Sequence, residues 1–148
     1  MSIRLAIAAS CMLIAGACSG APGESDSVAW SSDPCGLAPP TDVASAFGID
    51  PSPIGGVPQS ECRYQVGDTL LRVIVVSDRD ACEGLTRSYA ALGESLTRPD
   101  GADPGVFVSE PGRDIVVCHS DVTYVLRAAG RAEQLLVLAR TSPSQRSD

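Results

Sequence analysis

The chain reads as an α+β domain: a twisted antiparallel sheet with about two helices packed on one face, held by two disulfides. Three observations predict this. Short runs of alternating apolar and polar residues are separated by tight Gly-bearing turns, the pattern of antiparallel hairpins. Two other stretches repeat apolar residues at helical spacing. Four cysteines, Cys35, Cys62, Cys82 and Cys118, remain once the N-terminal segment is set aside. An even number of cysteines in an exported domain is a disulfide framework.

The N-terminal segment is what makes the chain read as exported. Residues 1–17 hold one basic residue, Arg4, and an apolar run from Leu5 to Ala17 broken only by Ser10. The run is too short to span a bilayer and has the proportions of a signal peptide. Leu13-Ile14-Ala15-Gly16-Ala17-Cys18 then puts a cysteine behind small residues, as a lipoprotein processing site does. Cys18 is therefore the expected lipidation site and first mature residue, although a larger aliphatic residue is usual at the position of Ala15. An ordinary secretory leader cut nearby, leaving Cys18 as a free thiol, is the alternative. Residues 18–33 are small, polar and Pro/Gly-bearing, which suits a flexible tether with a reach on the order of 20 Å. Its Trp30 is the only tryptophan.

The single domain is expected over residues 34–140, roughly 110 residues, a normal size for one core. After Pro39-Pro40, Thr41 is placed to cap a short helix in which Val43, Ala46 and Phe47 share a face, and Gly48 closes it. Residues 50–60, with three prolines and two glycines, read as a loop. Cys62, Tyr64 and Val66 alternate with Arg63 and Gln65 as a strand with one buried face. Gly67-Asp68 makes a two-residue hairpin turn. The return strand, Thr69 to Val76, is apolar at nearly every position, as expected of a strand covered on both faces.

Asp80 with Glu83 has the form of a capping box opening a helix, in which Cys82, Leu85, Tyr89 and Leu92 recur on one side until Gly93. Residues 94–104 read as turns. Val106–Val108 and Asp114–Cys118 flank a second hairpin turn, and Val122, Tyr124 and Leu126 alternate in a further strand. The run Leu135–Ala139 is ambiguous, and residues 132–140 are expected as strand by composition. Residues 141–148 read as a polar tail.

Four cysteines allow three connectivities, among which sequence alone does not choose. The pairing expected is Cys35–Cys62 and Cys82–Cys118. Each bridge would join a helix-side element to the sheet, and neither needs crossed loops.

Asp33-Pro34-Cys35-Gly36-Leu37, the Thr-Asp-Val-Ala-x-Ala-Phe-Gly helix after it, and Cys62-Arg63-Tyr64 opening a strand resemble a group of actinobacterial lipoproteins, the DUF3558-type. The resemblance covers the anchor and the first half of the domain. It implies a cell-envelope location and an α+β fold, and it brings no catalytic residues.

Composition excludes some partners. The 18 acids outnumber the 11 bases, all Arg, for a formal charge of −7. Loss of the leader with Arg4 makes the charge one unit more negative. Nucleic acid and polybasic membrane contact both need clustered positive charge, so neither is expected.

Candidate chemistry is thin. His119, the only histidine, adjoins Cys118. Neighbours on a strand point to opposite faces, so the two do not converge as a nucleophile or metal pair. His119-Ser120-Asp121 lacks the spatial geometry of a triad. Asp78, Asp80 and Glu83 lack the glycine and spacing of a calcium loop, and acids at a helix start already suit its dipole. No C-x-x-C points to zinc or thioredoxin-like redox chemistry. Tyr64, Tyr89 and Tyr124 are expected in the core. No catalytic set, cofactor site or metal site is expected.

The function expected is that of a membrane-anchored module without catalysis, binding an envelope protein, lipid or wall component. The alternatives are an envelope hydrolase with an unfamiliar site near His119, and a sensory partner of a membrane protein.

Overall fold

The computed structural model describes residues 33–76, 80–110, 112–120 and 122–141. The leader, Cys18, the tether to residue 32, Asp78, Asp121 and residues 142–148 lie outside the described residues. In chain order the elements are α1 (Pro34–Leu37), α2 (Pro40–Phe47), β1 (Ser52–Pro53), β2 (Glu61–Val66), β3 (Thr69–Val76), α3 (Ala81–Ala91), β4 (Leu96–Thr97), β5 (Val106–Ser109), β6 (Asp114–Cys118), β7 (Thr123–Arg127) and α4 (Ala132–Thr141). The strands form one antiparallel sheet in the order β1-β2-β3-β7-β6-β5-β4. Two meanders, β1–β3 and β4–β7, thus meet at the β3–β7 pair, and α3 carries the chain from the first to the far edge of the second. No helix among the described residues is long and apolar enough to cross a membrane.

Side-chain alternation divides the sheet into two unlike faces. On one, Tyr64, Leu71, Val73, Ile115, Tyr124 and Leu126 are buried against Leu37 of α1, Val43 of α2, and Leu135 and Leu138 of α4. Full burial of each such aliphatic side chain stabilises the fold by about 1.5–3 kcal/mol. The Tyr64 hydroxyl donates to the Ala38 carbonyl at 3.0 Å, so its burial leaves no polar group unmatched. On the other face, Tyr89 and Leu85 of α3 cover Ile74, Phe107, Val116 and Val125. The helices expected together on one face are therefore split. Because α3 must cross β7, β6 and β5 to reach β4, it occupies the face that α2 and α4 leave.

The Gly67-Asp68 turn joins β2 and β3 with Val66 opposite Thr69. Gly67 has φ +61°, a conformation that favours glycine. The second hairpin, β5–β6, pairs as expected. Gly105 is required beside it for a different reason. A Cβ there would run into the Cys118 carbonyl, so β6 can approach only a glycine.

Several expectations give way. Residues 132–141 are helix, not strand. Leu135, Leu138 and Ala139, at i, i+3 and i+4, are buried, whereas a strand would have placed the exposed Val137 on the same side as Leu135. Glu133 in the first turn and Arg140 in the last suit the helix dipole. Thr41 lies inside α2 and does not cap it; Pro39 precedes the helix and Pro40 opens it. Asp80 makes no side-chain cap on α3, and Glu83 instead lies 3.9 Å from exposed Arg87, so there is no capping box. The supposed loop at 50–60 contains the two-residue edge strand β1, and the turns at 94–104 contain β4. Strand β3 is sealed on one face only: Leu71, Val73 and Val75 are buried, but Arg72, Ile74 and Val76 are only partly so.

Candidate functional site

Strand register builds a line of charge across the sheet face that carries α3. Arg63 on β2 lies opposite Arg72 on β3, Arg72 lies opposite Arg127 on β7, and Arg127 lies opposite Asp114 on β6. Like charges directly opposite each other destabilise a sheet. Here a carboxylate at each end of the row offsets the repulsion.

At the β2 end, Glu61 is only 8% exposed. Its Oε1 accepts from Nε of Arg63 at 2.6 Å and of Arg72 at 2.5 Å, and its Oε2 accepts from their Nη2 atoms at 3.0 and 3.2 Å. The hydrogen bond from Arg63, then that from Arg72, holds the Glu61 pKa at about 2. One carboxylate thus neutralises two guanidinium groups only in part.

At the β6 end, Asp114 is fully buried. Arg127 donates to Oδ1 and Oδ2, each at 2.7 Å, and the Tyr89 hydroxyl donates to Oδ2 at 2.6 Å. The Asp114 backbone N–H donates to Ser109 Oγ at 3.2 Å. Burial by itself would raise the Asp114 pKa, but the Arg127 pair and the Tyr89 hydrogen bond outweigh it and hold the carboxyl below its ordinary range. Burial, then the Asp114 carboxylate, pushes the Tyr89 phenol up. Arg113 lies 3.8 Å from Asp114 and donates to Glu94 Oε1 at 2.5 Å.

These carboxylates are permanently ionised counter-ions at neutral pH. A general acid or base needs a pKa near the working pH, and neither has one. What the row offers outward is guanidinium. Arg72, Arg127 and Arg131 line a surface depression of about 620 Å³. Arg127 also stands at the end of an apolar groove of about 220 Å³ between α3 and the sheet, floored by Ile74 and Val125 and walled by Leu85, Tyr89 and Leu92. Five of the 11 arginines of an acidic chain, Arg63, Arg72, Arg113, Arg127 and Arg131, gather in this region.

The residues singled out from the sequence fall elsewhere. Cys35–Cys62 and Cys82–Cys118 are both bonded, with S–S distances of 2.03 and 2.00 Å. The first ties α1 to β2 and the second ties α3 to β6, so all four thiols are used as framework. His119 Nδ1 lies 3.5 Å from Ser120 Oγ, and its backbone N–H donates to the Val122 carbonyl at 3.0 Å. Asp80 and Glu83 are exposed, and among the described residues no group of three His, Cys, Asp or Glu side chains is placed to hold a metal. Tyr64, Tyr89 and Tyr124 are core residues, each at most 5% exposed. Tyr89 in addition orders the Asp114 network.

The arginine row is not visible in any one stretch of the sequence. Each arginine stands alone in its strand, and only pairing between β3 and β7, which are separated by some fifty residues of chain, brings Arg72 and Arg127 together. A usable signal was present: Arg72 interrupts an otherwise apolar run. Comparison with family models, with curated proteins and with solved structures gives no match.

Proposed function

We propose that the chain is an exported lipoprotein, held on the outer face of a cell membrane by acyl chains on Cys18, whose domain acts as a non-catalytic binding module. The observation that carries the binding reading is the open part of the sheet face, where Arg63, Arg72 and Arg127 stand in register with about a third of each side chain exposed. Their carboxylate partners are consumed in holding them, so the surface is built to present positive charge and not to transfer protons. The anchor reading is supported by the Leu13–Cys18 motif, by the polar tether and by the resemblance to DUF3558-type lipoproteins. Two disulfides in one small domain suit an oxidising compartment.

Two experiments test the two halves. Intact-mass analysis of the protein recovered from membranes should find residue 18 first and acylated; a free Cys18 thiol or a retained leader would overturn the anchor. A photo-crosslinking side chain at Leu70, beside the arginine row, should capture envelope material in living cells, whereas one at Val137, on the outer side of α4, should not. Equal capture from both positions would overturn the binding face. In the same assay His119→Ala should change nothing.

A further inference from the structure

The open face joins two kinds of surface at a fixed spacing. Along the β3–β7 pair, Ile74 lies opposite Val125, and the next pair on the same face is Arg72 opposite Arg127. Two residues of strand separate them, about 7 Å. The apolar pair floors the groove under α3, and the cationic pair opens into the arginine depression, with Arg127 common to both. Leu92, at the lip of the groove, is 71% exposed and extends its apolar wall outward.

The guanidinium groups also have capacity to spare. Glu61 engages Arg72, and Asp114 engages Arg127, through the Nε and Nη2 atoms. A guanidinium carries five N–H donors, and among the described residues no hydrogen bond uses the Nη1 atom of either, so that edge of each can face a second anion. An anion with two oxygens seated between Arg72 and Arg127 would relieve their mutual repulsion, and a chain attached to it would have an apolar groove to lie in.

We propose that this juxtaposition is a binding site for a single-chain anionic lipid, with its carboxylate or phosphate head group between Arg72 and Arg127 and its alkyl chain in the groove over Ile74 and Val125. The inference rests on the binding-module reading and specifies its ligand.

The test uses the full chain with Cys18→Ser, which keeps it free of its own acyl groups, titrated calorimetrically with monomeric probes. Dodecyl phosphate and dodecanoate should each bind at one site, at least tenfold more tightly than dodecanol or dodecyltrimethylammonium, and inorganic phosphate alone should bind at least a hundredfold more weakly. Arg72→Gln leaves Glu61 paired with Arg63, and Leu92→Asp alters an exposed position, so both variants should fold. Each should weaken dodecyl phosphate about tenfold, and His119→Ala should not.

Inorganic phosphate binding as tightly as dodecyl phosphate would reduce the site to an anion site and overturn the lipid inference. Dodecanol binding as tightly would remove the role of the arginines and overturn it equally, as would no binding of any probe. In each of those cases the crosslinking contrast between Leu70 and Val137 still reports separately on whether this face binds a partner at all.

Discussion

The two faces of the sheet are built on opposite principles. The face under α1, α2 and α4 is sealed mainly by aliphatic side chains, and the Tyr64 hydroxyl buried there is matched by a backbone carbonyl. The face under α3 is half covered by a single helix. It carries Glu61, Arg63 and Arg72 in one cluster of charge-assisted hydrogen bonds and Asp114 and Arg127 in a second. A buried ion pair with good geometry contributes little net stability compared with apolar packing. The sealed face therefore carries the stability of the domain, and the charged face is kept for what it presents outward.

That contrast can be broken at several points. The largest effect should come from the sealed face: Leu135→Ala should cost about 2–5 kcal/mol in urea unfolding, while Leu85→Ala under α3 should cost roughly half as much. Similar losses from the two would remove the distinction. The disulfides serve both faces alike. Their spans are 27 and 36 residues, and the loop-closure model assigns roughly 3–4 kcal/mol to each. Replacing either pair with serine should lower the melting temperature by a similar amount, measured without reductant.

Next comes the charged network. Asp114→Asn removes the charge that Arg127 and Tyr89 address and should cost about 2–3 kcal/mol, less than for a wholly buried pair because Arg127 is partly solvated. The smallest effect is that of acid. The folded Glu61 pKa of about 2 lies below the ordinary carboxylate value of 4.5, so its contribution is complete above pH 4.5 and fades as the pH falls toward 2. Screening through the half-exposed arginines limits it to about 2 kcal/mol. Glu61→Gln should flatten that acid limb of the stability curve, and an unchanged limb would show that Glu61 is not its source.

The parts of the fold legible in the sequence are those set by local chemistry. The Gly67-Asp68 turn, the alternation in β2 and the Val43–Phe47 face all follow from residues within a few positions of one another, whereas β7, read as alternating, is buried on both faces from Thr123 to Leu126. Cysteine spacing does not select the disulfide pairing, but the elements the cysteines sit on favour the pairing that forms. The helix at 132–141 is ambiguous in sequence because Leu135–Ala139 satisfies both periodicities, and the choice is made by the core that receives Leu135 and Leu138. The site was legible least of all. The cysteines, the histidine and the paired acids are the residues that look like chemistry in the sequence, while the arginines that converge are spread over three strands and two loops. Their alignment depends on β3 choosing β7 as its neighbour, a non-local pairing that no short motif encodes.

The most direct test of the two-face account is residue-resolved NMR of the full Cys18→Ser chain as dodecyl phosphate is added below its micelle concentration. The account predicts saturable shifts at Arg72, Ile74, Val125, Arg127 and Leu92, with Val43, Leu135 and Leu138 unmoved. Shifts centred on α2 and α4, or none on either face, would contradict it.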